Sequence, residues 1–266
     1  MKRTARFLTV LALLTICLAS PALADFKKGM AAYDAGDYAT ALKEWRPLAE
    51  QGNTDAQYGL GLIYDSGKGV PQDNVEAARW YRKAAEQGLA SAQSNMGVLC
   101  ARGEGVKQDY TEAARWYRRA AEQEYAMAQF NLGVLYEKGQ GVKQDYAEAV
   151  HWYRRSAEQG DTYAQINLGL LYAKGQGIPQ SYAKAVRYYR MAAEQGDADA
   201  QSSLGLLYAN GQGTAKDDVQ AHLWLSLAAA QGNKSAAKER DLLAKKMTAD
   251  QLAQAHKLAR GWKPKK

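Results

Sequence analysis

The chain has 266 residues, 24% of them charged, and a formal net charge of +7. That charge is mild, and Lys2, Arg3 and Arg6 at the extreme N-terminus supply part of it, so composition gives no support to a nucleic-acid partner. The two cysteines, Cys17 and Cys100, provide no disulfide framework, which leaves packing alone to hold the fold.

The N-terminal stretch MKRTARFLTVLALLTICLASPALAD sets those three cations ahead of an apolar run over residues 7–18 and the small-residue site Ala22-Leu23-Ala24. This pattern predicts a secretory signal peptide over residues 1–24, with a periplasmic or secreted protein starting at Asp25. The run is too short to be kept as a membrane helix, and no later stretch approaches the roughly 20 apolar residues that a transmembrane span needs. A lipid anchor on Cys17 is not expected, because branched Ile16 stands where lipid-attachment signals want a small residue. Cleavage would leave Cys100 as the single thiol.

From here the chain is periodic. Gln57, Gln93, Gln129, Gln165 and Gln201 recur every 36 residues, and so do Gly61, Gly97, Gly133, Gly169 and Gly205. Ala77, Ala113, Ala149, Ala185 and Ala221 keep the same step, as do Trp80, Trp116, Trp152, Tyr188 and Trp224. Five units follow, over 53–88, 89–124, 125–160, 161–196 and 197–232, after a shorter one over 25–52 that lacks five loop residues.

Within the unit 125–160, Ala128, Leu132, Leu135 and Tyr136 fall on one face of a first helix, which Gly139 and Gly141 stop. Asp145 with Glu148 predicts an N-cap and capping box for a second helix, repeated as Asp73/Glu76 and Asp109/Glu112 and reduced to Ser181/Lys184 in the fourth full unit. The second helix carries an apolar stripe on Ala149, Trp152, Tyr153, Ser156 and Ala157, and His151, Arg154, Arg155 and Glu158 on its other face. Each hairpin is too small to bury its apolar face alone, so stacked units must supply the partner surface. After Gly232 the period lapses. Thr248 and Gln251 predict one capping helix ending near Gly261, followed by a solvated basic tail, which makes 233–266 a C-terminal cap.

The pattern A-Q-x-x-L-G-x-L-Y-x-x-G-x-G-V-x-x-D-Y-x-x-A-x-x-W-Y-x-x-A-A-E-Q-G resembles the Sel1-like repeat family, relatives of the tetratricopeptide repeat, over about residues 26–232. The resemblance implies an all-α, right-handed α-solenoid of tandem helical hairpins that acts as a non-enzymatic adaptor for other proteins. Two departures stand out: Glu124 replaces the terminal glycine of its unit, and Cys100 replaces the tyrosine found at Tyr64, Tyr136, Tyr172 and Tyr208.

No metal or cofactor is expected, because His151, His222 and His256 stand at no ligand spacing in sequence. Some members of the family are reported to act on β-lactams, so a hydrolase of that kind is one alternative. Its signals are weak, since Ser181/Lys184 and Ser235/Lys238 are close to what composition supplies and the companion motifs are absent. The first helices of such solenoids normally line the concave surface, so the predicted partner groove comprises Tyr58, Asn95, Phe130, Asn131, Ile166 and Asn167. A basic stripe of Arg82, Arg118, Arg119, Arg154, Arg155 and Arg190 offers the other alternative, an anionic envelope polymer or lipid surface. Glu86, Glu122, Glu158 and Glu194, one turn on, are expected to neutralise it in part. A monomer is expected, with a Cys100-linked dimer as the alternative.

Overall fold

The computed structural model describes residues 21–265, and among them every regular element is a helix. The short hairpin is α1 (Pro21–Asp34) and α2 (Tyr38–Glu50). The full units are α3 (Thr54–Ser66) with α4 (Asn74–Glu86), α5 (Ala90–Arg102) with α6 (Tyr110–Glu122), and α7 (Ala126–Lys138) with α8 (Tyr146–Glu158). They continue as α9 (Thr162–Lys174) with α10 (Tyr182–Glu194) and α11 (Ala198–Asn210) with α12 (Asp218–Ala230), closed by α13 (Lys234–Ala244) and α14 (Ala249–Gly261). From α1 to α13 each helix packs on its neighbours in sequence, as an α-solenoid requires, whereas α14 packs back on α12. The expected signal peptide rests mainly on residues 1–20, which lie outside the described residues; Ala24 falls in the first turn of α1.

Local chemistry fixes most helix ends. The first helix of the third unit ends where Gly139 turns left-handed at φ 67°, a conformation that costs glycine little and other residues more. Gly141 serves differently, because a Cβ there would run into the backbone of Tyr110, where the preceding second helix begins. Asp145 caps α8 by accepting from the amides of Ala147 and Glu148 at 2.8 and 3.1 Å. The capping boxes predicted at these second helices form only by half. Glu112 and Glu148 do not reach back to the caps but accept from the indole N–H of Trp116 and Trp152, each at 3.2 Å. The full reciprocal box closes at Thr248 and Gln251 on α14.

Packing between helices follows from small residues at fixed places. Ala77, Ala113, Ala149 and Ala185 on the second helices are fully buried, as are Ala92, Ala128, Ala164 and Ala200 on the first helices. Gly133 sits inside α7 because the ring of Tyr153 lies flat against it; a Cβ there would stand 2.6 Å from that ring. The Tyr153 hydroxyl then donates to Glu137 at 2.6 Å, which satisfies the polar end of an otherwise buried side chain.

The recurring glutamines bind the units to one another. Gln129 on α7 is fully buried. Its amide donates to the Ala121 carbonyl at the end of α6 at 3.1 Å, and its carbonyl accepts from Gln159, just past α8, at 2.8 Å. The same pair of bonds recurs at Gln57, Gln93, Gln165 and Gln201. One side chain per unit therefore joins three helices and satisfies a C-terminal carbonyl that the α-helix leaves open.

Two expectations need correction. The single capping helix is two helices, α13 and α14. The basic tail is not simply solvated. Trp262 packs edge-on against Trp224 at 6.2 Å, and Lys265 returns to α10, where its amide donates to the Glu194 carbonyl at 2.7 Å and its ammonium pairs with the Glu194 carboxylate at 2.8 Å. At the turn after α6, Glu124 adopts the left-handed conformation of the glycine it replaces, at φ 61°, and the turn is kept. Arg155 and the Gln129 amide hold its carboxylate in place.

Replacing Gly133 with alanine sets two effects against each other. Alanine is the better helix former by about 1 kcal/mol, whereas the collision with Tyr153 costs about 1–3 kcal/mol as overpacking. The collision dominates, so Gly133→Ala is expected to lower stability in urea unfolding. A rise in the midpoint would show that the ring has room to move.

Candidate interaction surfaces

The first helices leave one face outside the core. On α7 the buried side is Ala128, Gln129, Leu132, Gly133 and Leu135, so Met127, Phe130, Asn131 and Val134 form the free side. On α9 the matching residues are Tyr163, Ile166, Asn167 and Leu170. All six predicted groove residues lie on this face and are half-buried. Phe130 stands at the centre, with its ring 5.7 Å from Tyr153 below and 6.0 Å from Tyr163 on the next unit. Tyr58 lies at the N-terminal end of the row, 5.7 Å from Tyr81.

Asn95 and Asn167 have a second neighbour. Burial pushes the phenols of Tyr81 and Tyr153 well above the usual tyrosine range and raises that of Tyr58. Asn95 opposes that shift at Tyr58 and Tyr81, and Asn167 does so at Tyr153, because each amide faces a hydroxyl of the preceding unit. Asn95 and Asn167 thus border the tyrosine layer between units. Sequence reasoning missed the most open residues of the face, which are Met127 at 53%, Tyr163 at 67% and Leu170 at 37% exposure. The signal was in the repeat column, where other units carry Asp55, Ser91 and Asp199 opposite Met127 and Tyr163.

Most of the basic stripe has intramolecular partners. Arg118, Arg154 and Arg190 each donate to the tyrosine hydroxyl of the following unit, at Tyr136, Tyr172 and Tyr208. Arg82 meets Cys100 at that position, has no hydroxyl to address, and pairs instead with Glu112 at 3.1 Å. Arg119 and Arg155 lie over Trp116 and Trp152 at 4.8 and 5.1 Å from the ring centres, and Arg155 also pairs with Glu124. The expected pairs one turn on along each helix do not form among the described residues. Glu86, Glu122 and Glu158 stay exposed, and Glu194 takes Lys265.

Other candidates fall into place singly. Ser181 caps α10, accepting from the Lys184 amide at 3.3 Å, while Ser235 and Lys238 are exposed on α13. His222 and His256, remote in sequence, meet across α12 and α14 with ring centres 5.2 Å apart. Burial holds His222 below the usual histidine range, and His256 and Arg240 add to the effect. No group of three or more possible metal ligands gathers among the described residues. Cys100 is 1% exposed, and burial, helped by Glu112, pushes its thiol up to about 11. A disulfide to a second chain would therefore require α5 to leave its neighbours.

A stack of helical hairpins with one open face and a satisfied polar spine defines a repeat scaffold. The Sel1 repeat model matches residues 54–89, 90–125, 126–161, 162–197 and 198–233, and the chain belongs to the Sel1 repeat family. Its fold is similar to that of a protective antigen of uropathogenic Escherichia coli strains displaying an SLR fold, at 37% identity and a TM-score of 0.83 over 90% of this chain. The chain spans 52% of that antigen's length. A Sel1 repeat protein from Oxalobacter formigenes is 40% identical, with a TM-score of 0.75, over 80% of this chain and 88% of its own. No curated protein matches the chain.

At pH 8 a thiol whose pKa lies near 11 holds little thiolate, and Cys100 is also covered. Iodoacetamide is expected to leave the native protein unmodified over a period in which it fully alkylates the urea-unfolded chain, as read by mass spectrometry. Rapid native labelling, or a dimer on a non-reducing gel, would show this face to be open.

Proposed function

We propose that this chain is an exported, non-enzymatic scaffold that binds a protein or peptide along the free face of its first helices. Sel1 repeats generally build protein–protein interaction scaffolds, which supports the class. One observation carries the location: Met127, Phe130 and Val134 on α7 continue into Tyr163, Ile166 and Leu170 on α9 as an apolar band. The first two of these columns carry Ser91 and Ser94 on one side and Asp199 and Ser202 on the other, while the third stays apolar as Val98 and Leu206. Repeat packing does not require Met127 and Tyr163 to be apolar, because those positions are exposed and polar elsewhere in the array. Apolar side chains kept open to water on a regular frame are characteristic of interaction sites. Export rests on the charge and hydropathy pattern of residues 1–24.

Crosslinking in the native compartment identifies the partner, and Met127→Glu and Tyr163→Glu then test the site. Both variants are expected to weaken capture at least about tenfold, as loss of buried apolar contacts does, with the helical circular dichroism unchanged. A partner held at undiminished affinity by both variants places its site off this face. Mass spectrometry of the exported product is expected to show a chain starting at Asp25; a retained Met1 would remove export from the reading.

A further inference from the structure

Five equivalent junctions join successive second helices, and one of them alone gathers an excess of positive charge. At the junction of α4 and α6, Arg82 and Arg115 are matched by Glu112 and Glu86, two cations against two anions. The position of Glu112 is also glutamate at Glu76 and Glu148, but on α10 it is Lys184. Arg154 lines the cleft with that ammonium in place of a carboxylate, and Arg187 adds a third cation. Glu158 on the rim is the single carboxylate, which leaves the cleft two positive charges in excess. Among the described residues none of the three cations makes an ion pair.

A second departure coincides with the first. The aromatic column Trp80, Trp116, Trp152 becomes Tyr188 at this junction, which exchanges an indole for a phenol. The rings of Tyr172 and Tyr188 stack at 5.8 Å with 3° between their planes. Arg154 donates to the Tyr172 hydroxyl at 3.1 Å, Lys184 stands 4.9 Å from the Tyr172 ring centre, and Arg187 stands 5.6 Å from that of Tyr188. Three cations and two phenols therefore line a cleft of about 280 Å³. This is just below the range of about 300–1,000 Å³ typical of small-molecule sites, so the cleft admits one compact polar group.

We propose that the cleft framed by Arg154, Lys184 and Arg187 binds a phosphoryl group or a similarly compact oxyanion. Like charges gathered in a confined cleft repel one another, and a bound dianion turns that repulsion into attraction while the phenols and the Arg154 fork donate to its oxygens. The site stands apart from the groove on the first helices and does not depend on it. Either a soluble phosphate ester or a phospholipid headgroup presents this chemistry.

The full chain is titrated with inorganic phosphate at constant ionic strength and followed by calorimetry. Saturable binding is expected, weakened about tenfold or more by Lys184→Glu, the size expected for losing a charge-assisted hydrogen bond. That substitution places on α10 the carboxylate that the frame already accepts at Glu76, Glu112 and Glu148, which protects its folding; Arg187→Gln gives a second reading with a neutral side chain. Arg115→Glu, which changes net charge equally at the balanced junction, is expected to bind phosphate as the parent does. Absence of saturation, or equal weakening by Arg115→Glu, overturns the site. Vesicles of phosphatidic acid in phosphatidylcholine distinguish the sources. Cosedimentation that free phosphate competes away and Lys184→Glu abolishes assigns a lipid headgroup, and phosphate binding without cosedimentation assigns a soluble ligand.

Discussion

Each unit of this solenoid turns on one buried amide. Gln129 is surrounded by helix backbone and fully covered, and a glutamine left unpaired there would cost about 1–3 kcal/mol. Because its donor is spent on the last turn of α6 and its acceptor on the residue after α8, the side chain can be satisfied only when three helices stand in one arrangement. Apolar packing among alanines is permissive of small slides and rotations, whereas hydrogen bonds with fixed direction are not. The register between units is therefore set by the glutamine row, and the alanines and glycines make the approach close enough for it to form. Everything else on the surface inherits its position from that frame.

The sequence made this frame legible because it was written five times over. Period, hairpin loops, cap residues and the buried stripe of the second helices could be read from recurring positions, and the structure puts Trp152, Tyr153, Ser156 and Ala157 inside as expected. Contacts between side chains on different units were much harder to see. Arg118 sits one turn from Glu122 on its own helix, yet its partner is Tyr136, which the stacking of units brings to it. Glu148 stands at the right place for a reciprocal cap, yet the indole of Trp152 competes for it and wins. In both cases a local rule of about 0.5 kcal/mol or less yields to a partner that tertiary packing supplies. The return of Lys265 to Glu194 had no periodic signal at all.

The candidate surfaces show the complementary lesson. Positions that obey the repeat belong to the scaffold, and Arg118, Arg119 and Arg155 in the basic stripe are engaged in holding it. Positions that break the repeat without breaking the frame carry the individuality of this chain. Met127 and Tyr163 do so on the first helices, and Lys184 with Tyr188 on the second. Asn95 and Asn167 fall between the two groups, half-buried and facing the tyrosines beneath them.

The return of the tail bears on how the molecule comes apart. A linear array melts from its ends, because an outer hairpin has a neighbour on one side only. At the C-terminal end Lys265 grips α10 through both its backbone and its side chain, and Trp262 presses on Trp224, so α11 to α14 are enclosed between two fixed points. Those helices cannot peel away one at a time. Among the described residues the short α1–α2 hairpin has no comparable strap, so within them the zipper opens from the N-terminal side and runs toward the clasp.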